Sequence, residues 1–155
     1  MTRKEAAMDY FMKGYNCSQS VVLAFADLFP VDKNTLSKMA SSFGGGMGRL
    51  REVCGAVSGM FMVAGLLYGY DGPETGDITA GDYARIHELA HRFEKKNGSI
   101  VCRELLNLKT LRDEPVPEKR TSEYYRKRPC PELVGDTAGI LEEYISIQSN
   151  HSKSN

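Results

Sequence analysis

The chain has 155 residues, 20 Lys and Arg against 20 Asp and Glu, and is 41% hydrophobic. That length buries a core without covalent help, and the balanced charge removes the protein-wide field that would draw it to nucleic acid or to an anionic membrane surface, so neither is an expected partner. The opening Met1-Thr-Arg-Lys-Glu-Ala-Ala-Met8 mixes charges and lacks the apolar stretch of a secretory signal. The expectation is therefore a cytoplasmic, reducing setting, in which Cys17, Cys54, Cys102 and Cys130 read as catalytic or metal-binding thiols.

The elements are helical throughout. A short amphipathic helix spans about Thr2 to Lys13 and stops at Gly14. Asn16 caps a second helix, which Cys17 opens and which carries Val21, Val22, Phe25, Leu28 and Phe29 as far as Pro30. Asp32 or Asn34 caps a third, with Leu36, Met39 and Phe43, ending at Gly44, Gly45, Gly46 and Gly48. From Val53 to Tyr70 no residue is charged, which approaches the shortest membrane span. Gly55, Gly59, Gly65 and Gly69, with amphipathic helices on both sides, favour a buried central bundle helix instead.

A loop from Asp71 to Gly81 leads to an amphipathic helix of about Thr79 to Lys96, with Tyr83, Ile86, Ala90 and Phe93 as the expected core stripe and Asn97-Gly98 as its stop. Ser99 precedes a short helix with Cys102, Leu105 and Leu106; the polar, proline-containing stretch from Arg112 to Arg128 reads as a surface loop. Cys130 opens the last helix, with Pro131 in its first turn and Ile140, Leu141, Tyr144 and Ile145 as its apolar contacts. The fold class is all-α: a single-domain helical bundle over residues 1–148 with a buried glycine-rich central helix, followed by a disordered tail over 149–155. Bundles often form homodimers, but no heptad register marks a seam here.

Each cysteine stands at the first turn of a predicted helix, where unpaired amides and the positive end of the helix dipole favour a thiolate, which is both nucleophile and metal ligand. No pair has the CxxC spacing of a zinc ribbon or a thioredoxin-like site, so any shared site must be assembled by the fold. Gly55, Ala56, Ser58 and Gly59 let neighbouring backbones come close to Cys54; Gly55, Ala56 and Gly59 are the candidate cofactor-contacting positions, although tight helix packing alone would select them. Arg49 and Arg51 lie near Cys54 in sequence and would lower its pKa, making Cys54 the expected nucleophile. Arg126, Lys127 and Arg128 precede Cys130 and read as solvated or as a similar electrostatic aid.

Two other patterns compete. His87-Glu88-Leu89-Ala90-His91 spells HExxH, which in zincins supplies two zinc ligands and a water-polarising glutamate. Glu94 and Asn97 stand where the metzincin continuation needs glycine and histidine, and no sheet edge is predicted to hold a peptide, so surface histidines are favoured over a zinc hydrolase. The run Gly44-Gly45-Gly46-Met47-Gly48-Arg49 resembles a phosphate cradle, but no Gly-Lys-Ser/Thr follows and no strand precedes it, so a structural loop is favoured.

Four fragments taken together resemble the C_GCAxxG_C_C family of redox-active proteins, over nearly the whole chain: Gly14-Tyr15-Asn16-Cys17-Ser18-Gln19, the glycine loop into Cys54-Gly55-Ala56-Val57-Ser58-Gly59, Cys102-Arg103-Glu104-Leu105-Leu106, and Cys130. The family label writes GCAxxG where this chain reads CGAxxG, a variant spelling of the same site. The resemblance implies an all-helical redox domain in which the four cysteines act as catalytic thiols or as metal ligands. A similar arrangement in the domain preceding the haem-binding part of split-Soret cytochromes, where an iron–sulfur cluster has been proposed, raises the expectation of metal; without CxxCH, covalent haem is not implied. Four thiolates would hold an iron–sulfur cluster or zinc, whereas two pairs would cycle between dithiol and disulfide, in either case with a redox partner protein or electron carrier. A structural zinc site, or a helical interaction module with spectator cysteines, is the non-catalytic alternative.

Overall fold

The computed structural model describes residues 1–73 and 76–154; Glu74 and Thr75, which fall in the expected 71–81 loop, and Asn155 lie outside the described residues. The order is α1 (Arg3–Met12), α2 (Cys17–Ala24), α3 (Lys33–Ser41), α4 (Gly44–Met47), α5 (Gly55–Tyr68), α6 (Asp77–Asn97), α7 (Cys102–Leu105), α8 (Ser122–Lys127) and α9 (Cys130–Ser154), an all-α fold.

Local chemistry sets the early helix starts. At α1 the Thr2 hydroxyl accepts from the Glu5 amide while the Glu5 carboxylate accepts from the Thr2 amide. At α2, Asn16 and Gln19 make the same reciprocal exchange, and each box satisfies two amides that the helix leaves unpaired. The core then forms where α1 packs along α9 and α2 along α5, with α9 also reaching α2, α5 and α6. Phe11, Val21, Val22, Phe25, Met60 and Phe93 are fully enclosed there, each worth roughly 1.5–3 kcal/mol of burial. Gly59 permits the α2–α5 contact: a Cβ on it would stand 2.8 Å from the Ser18 carbonyl oxygen.

The uncharged segment forms α5, buried over its first part, with Val57, Met60, Val63 and Ala64 sealed from solvent, whereas Leu66 and Tyr70 toward the segment's far end are exposed. Among the described residues no helix is long and apolar enough to cross a membrane. Other expectations shift. α2 ends at Ala24 and a 3-10 turn, Ala26–Leu28, follows, leaving Leu28 exposed. On α6 the buried pair is Leu89 and Phe93, and Tyr83 is 57% exposed, because the stripe is centred lower on the helix than its apolar residues imply. The stretch from Arg112 to Arg128 contains α8 and folds back onto the cysteine end of the bundle. Beyond Ser149, where a disordered tail is expected, α9 continues as an exposed helix to Ser154.

Candidate functional site

The four helix starts converge on one cavity. Cys17, Cys102 and Cys130 are the first residues of α2, α7 and α9, and Cys54 is the cap of α5. All four are free thiols lining one cavity of about 260 Å³. Cys17 is half-buried and the others are buried.

Each thiol is held by its own device. The Asn16–Gln19 box fixes Cys17, and the Asn16 side-chain amide also donates to the Ser41 carbonyl, tying the start of α2 to the end of α3. Cys54 and Cys102 are brought together by a single antiparallel bridge between Val53 and Val101. In it the Cys54 amide donates to the Ile100 carbonyl at 2.7 Å and the Cys102 amide to the Glu52 carbonyl at 2.6 Å. One bridged pair leaves no alternating pattern in the sequence to mark it. Cys130 follows Pro129, whose carbonyl accepts the Leu133 amide and so starts α9.

The glycine run forms a wall of the cavity. Gly45, Gly46, Met47, Gly48 and Arg49 are all left-handed, with φ from +61° to +69°, and Arg51 has φ +58°. For a residue with a Cβ that conformation costs roughly 1–2 kcal/mol. The winding brings Gly46 so near α7 that a Cβ would stand 2.6 Å from Cys102 Cβ, and it turns the buried Arg51 into the site. Arg51 Nη1 lies 3.6 Å from Cys102 Sγ, and its Nε donates to Asp113 at 2.7 Å. Sequence proximity thus misleads: Arg51 serves Cys102, while Arg49 binds the Glu114 carbonyl and faces Asp113. Gly55 and Ala56 line the cavity beside Cys17, whereas Gly59 lies a turn further on, against Ser18 and Val21.

The electrostatics differ thiol by thiol. Burial pushes Cys54 up to about 12, although the Val57 and Ala56 amides at the start of α5 pull the other way. Burial also raises Cys102, against the opposing hydrogen bond and charge of Arg51. Cys17 is raised well above the ordinary thiol value, first by its hydrogen bond to Cys130 and then by burial. Cys130 alone is lowered: Cys17 donates to it, and Arg128, Arg51 and a hydrogen bond from Tyr124 outweigh its burial. The expectation that every helix-start thiol ionises readily is therefore corrected at three positions, because a helix terminus offers about 0.3–1 kcal/mol and desolvation of a thiolate costs more.

Tyr124 and Arg120 are site residues that sequence reading missed. The Arg120 guanidinium lies 4.0 Å over the Phe11 ring and 5.7 Å from that of Tyr124, and donates to the Phe11 and Tyr15 carbonyls. Their only sequence signal is an aromatic pair, Tyr124-Tyr125, in an otherwise polar stretch. His87 and His91 lie outside the site, on the exposed face of α6, with Glu88 paired to Arg92 at 2.7 Å. Among the described residues no group of three or more His, Cys, Asp or Glu is close enough to hold a metal ion. The four thiols as placed do not fit a closed zinc or iron–sulfur ligand set; the two that act most strongly on each other are Cys17 and Cys130.

Curated proteins and solved structures gave no match to the chain. The family model described as "Putative redox-active protein (C_GCAxxG_C_C)" matches residues 15–144. That span includes all four cysteines and most of the bundle that gathers them, and the chain belongs to the C_GCAxxG_C_C family.

Proposed function

We propose that this is a thiol–disulfide redox protein in which Cys130 is the attacking thiol and Cys17 the resolving one. The observation that carries the reading is that Cys17 and Cys130 line one cavity as free thiols, where each acts on the other's acidity in the sense that favours charge on Cys130. The Cys130 thiolate attacks one sulfur of a substrate disulfide, forming a mixed disulfide and releasing the other half as a thiolate. With Cys130 so capped, the hydrogen bond that most strongly raises Cys17 is gone. Cys17 then loses its proton to solvent and attacks the Cys130 sulfur, expelling the second thiolate and leaving a Cys17–Cys130 disulfide. Two electrons pass from the dithiol to the substrate, which leaves as two thiols once protonated.

The test is peptide mapping of protein equilibrated with a small disulfide. The expected product links Cys17 to Cys130 and leaves Cys54 and Cys102 as thiols; any other pairing, or none, overturns the assignment. A four-thiolate metal centre is the second reading, supported by the four sulfurs sharing one cavity. It requires Cys54 and Cys102 to close on the pair, and metal content of anaerobically purified protein, lost when all four cysteines become serine, is its measure.

A further inference from the structure

The cavity that holds the thiols carries an unbalanced positive charge. Arg49, Arg51, Arg120 and Arg128 line it, and among the described residues Glu118 is the one carboxylate in its lining. Arg128 is paired with Glu118. Arg49 and Arg51 share a single carboxylate, Asp113, at 3.7 and 2.7 Å. Among the described residues Arg120 has no carboxylate partner, and its hydrogen bonds go to the neutral carbonyls of Phe11 and Tyr15, which satisfy hydrogens without cancelling charge. Half-buried over two aromatic rings and held by two carbonyls, its guanidinium is fixed in place. A rigid, uncompensated guanidinium lining the same cavity as the thiol pair matches a carboxylate on the molecule that reacts there.

We propose that the cavity selects small anionic disulfides, with Arg120 holding a substrate carboxylate while the S–S bond meets Cys130. This rests on the thiol–disulfide reading above and adds its substrate class. Cavity size favours a small molecule: about 260 Å³ lies just under the usual range of ligand pockets, about 300–1,000 Å³, and Cys130 is only 7% exposed, out of reach of a disulfide on a folded protein surface.

The experiment compares three disulfides of similar size with the reduced full chain: dithiodiglycolate with two carboxylates, neutral bis-hydroxyethyl disulfide and cationic cystamine. Each rate is divided by that compound's rate with a free thiol in the same buffer, which removes intrinsic reactivity. Dithiodiglycolate is expected to exceed the neutral compound by about tenfold, the scale of one charge-assisted hydrogen bond, with cystamine slowest and the spread shrinking as salt is added. In Arg120→Gln the anionic-to-neutral ratio falls toward one, and Arg120→Lys restores part of it. Equal normalised rates, a lead for cystamine, or a ratio untouched by Arg120→Gln overturns the proposal while leaving the exchange reaction standing. If even the neutral disulfide fails to react, the exchange reading has failed; calorimetric binding of dithiodiglycolate to Cys130→Ser then retains the anion site, and absence of that binding overturns it too.

Discussion

Cys17 and Cys130 sit on the bundle itself, at the starts of α2 and α9, whereas Cys54 and Cys102 hang on a one-pair bridge and a left-handed glycine loop at its edge. All four stand at a helix start, three as the first residue and Cys54 as the cap, yet their acidities diverge. The Cys17–Cys130 pair provides its own donor and adds Tyr124 and Arg128, so one thiol is favoured as the anion at the expense of the other. At Cys54 only backbone amides oppose burial, and burial wins. The lesson is that a helix terminus biases a thiol while the side chains around it decide, because several directed donors outweigh one dipole of about half a charge.

The sharpest break of that comparison is a serine exchange on each side. Cys130→Ser should abolish the Cys17–Cys130 crosslink and slow reaction with a small disulfide by more than about a hundredfold, while Cys54→Ser stays within about threefold. Stopped-flow thiol kinetics on both variants reads this directly. Equal losses would mean that the two pairs act as one unit.

Alkaline pH separates the thiols by stability. Cys54 titrates near 12 in the folded chain against 9.0 for an ordinary thiol. Below the ordinary value it is neutral in both states, and its folded-state preference for the proton is fully present. As pH rises from 9 to 12 the unfolded chain loses a proton that the folded chain keeps, so stability falls, by about 4 kcal/mol once pH reaches 12. Cys54→Ala should flatten that limb in urea titrations run at increasing pH. Cys130 has the opposite sign: its lowered value stabilises the fold above the ordinary thiol range, and that contribution is lost as pH falls through its folded value. A Cys54→Ala limb as steep as wild type would move the effect to Cys17 or Cys102.

The loop supports the edge pair by close approach, which two glycines test against each other. Gly46 and Gly48 share a left-handed φ, but a Cβ meets Cys102 Cβ at 2.6 Å and Arg51 Cα at 2.9 Å from Gly46, and only the Ser42 carbonyl oxygen at 3.8 Å from Gly48. Gly46→Ala should cost about 3 kcal/mol, conformational strain plus overpacking. Gly48→Ala should cost about 1 kcal/mol, from strain alone. Equal costs in chemical denaturation would show that the contact between the loop and α7 yields freely.

The helices and the placement of all four cysteines at helix starts were legible because caps, stops and apolar spacing are local: Asn16 with Gln19, Asp32, and Gly98 act within a turn of their own position. What was not legible is non-local. The bridge of Val53 to Val101 joins segments far apart in the chain, and the polar residues from Asp113 to Arg128 enter the site only after the chain has folded back, so Arg120 and Tyr124 read as solvent-facing. Arg51 shows the same limit at short range. Its neighbour in sequence is Cys54, but a positive φ turns its side chain to Cys102.

His87-Glu88-Leu89-Ala90-His91 is the reverse case, a motif complete in spelling and without a site around it. Both histidines are exposed on α6, on the opposite side from the buried Leu89 and Phe93, and the Glu88 carboxylate is engaged by Arg92 one turn on. A hydrolytic glutamate must instead face a water held between the histidines and the substrate. Alanine is also the strongest helix former, so replacing two exposed residues in the middle of α6 removes no burial and strains no turn. The double variant His87→Ala with His91→Ala should therefore change stability by no more than about 0.5 kcal/mol and leave the Cys130 reaction rate at the wild-type value. A loss of thiol reactivity in that variant, measured with the same small disulfides, would tie His87 and His91 to the cysteine end through the packing of α6 against α5 and α9.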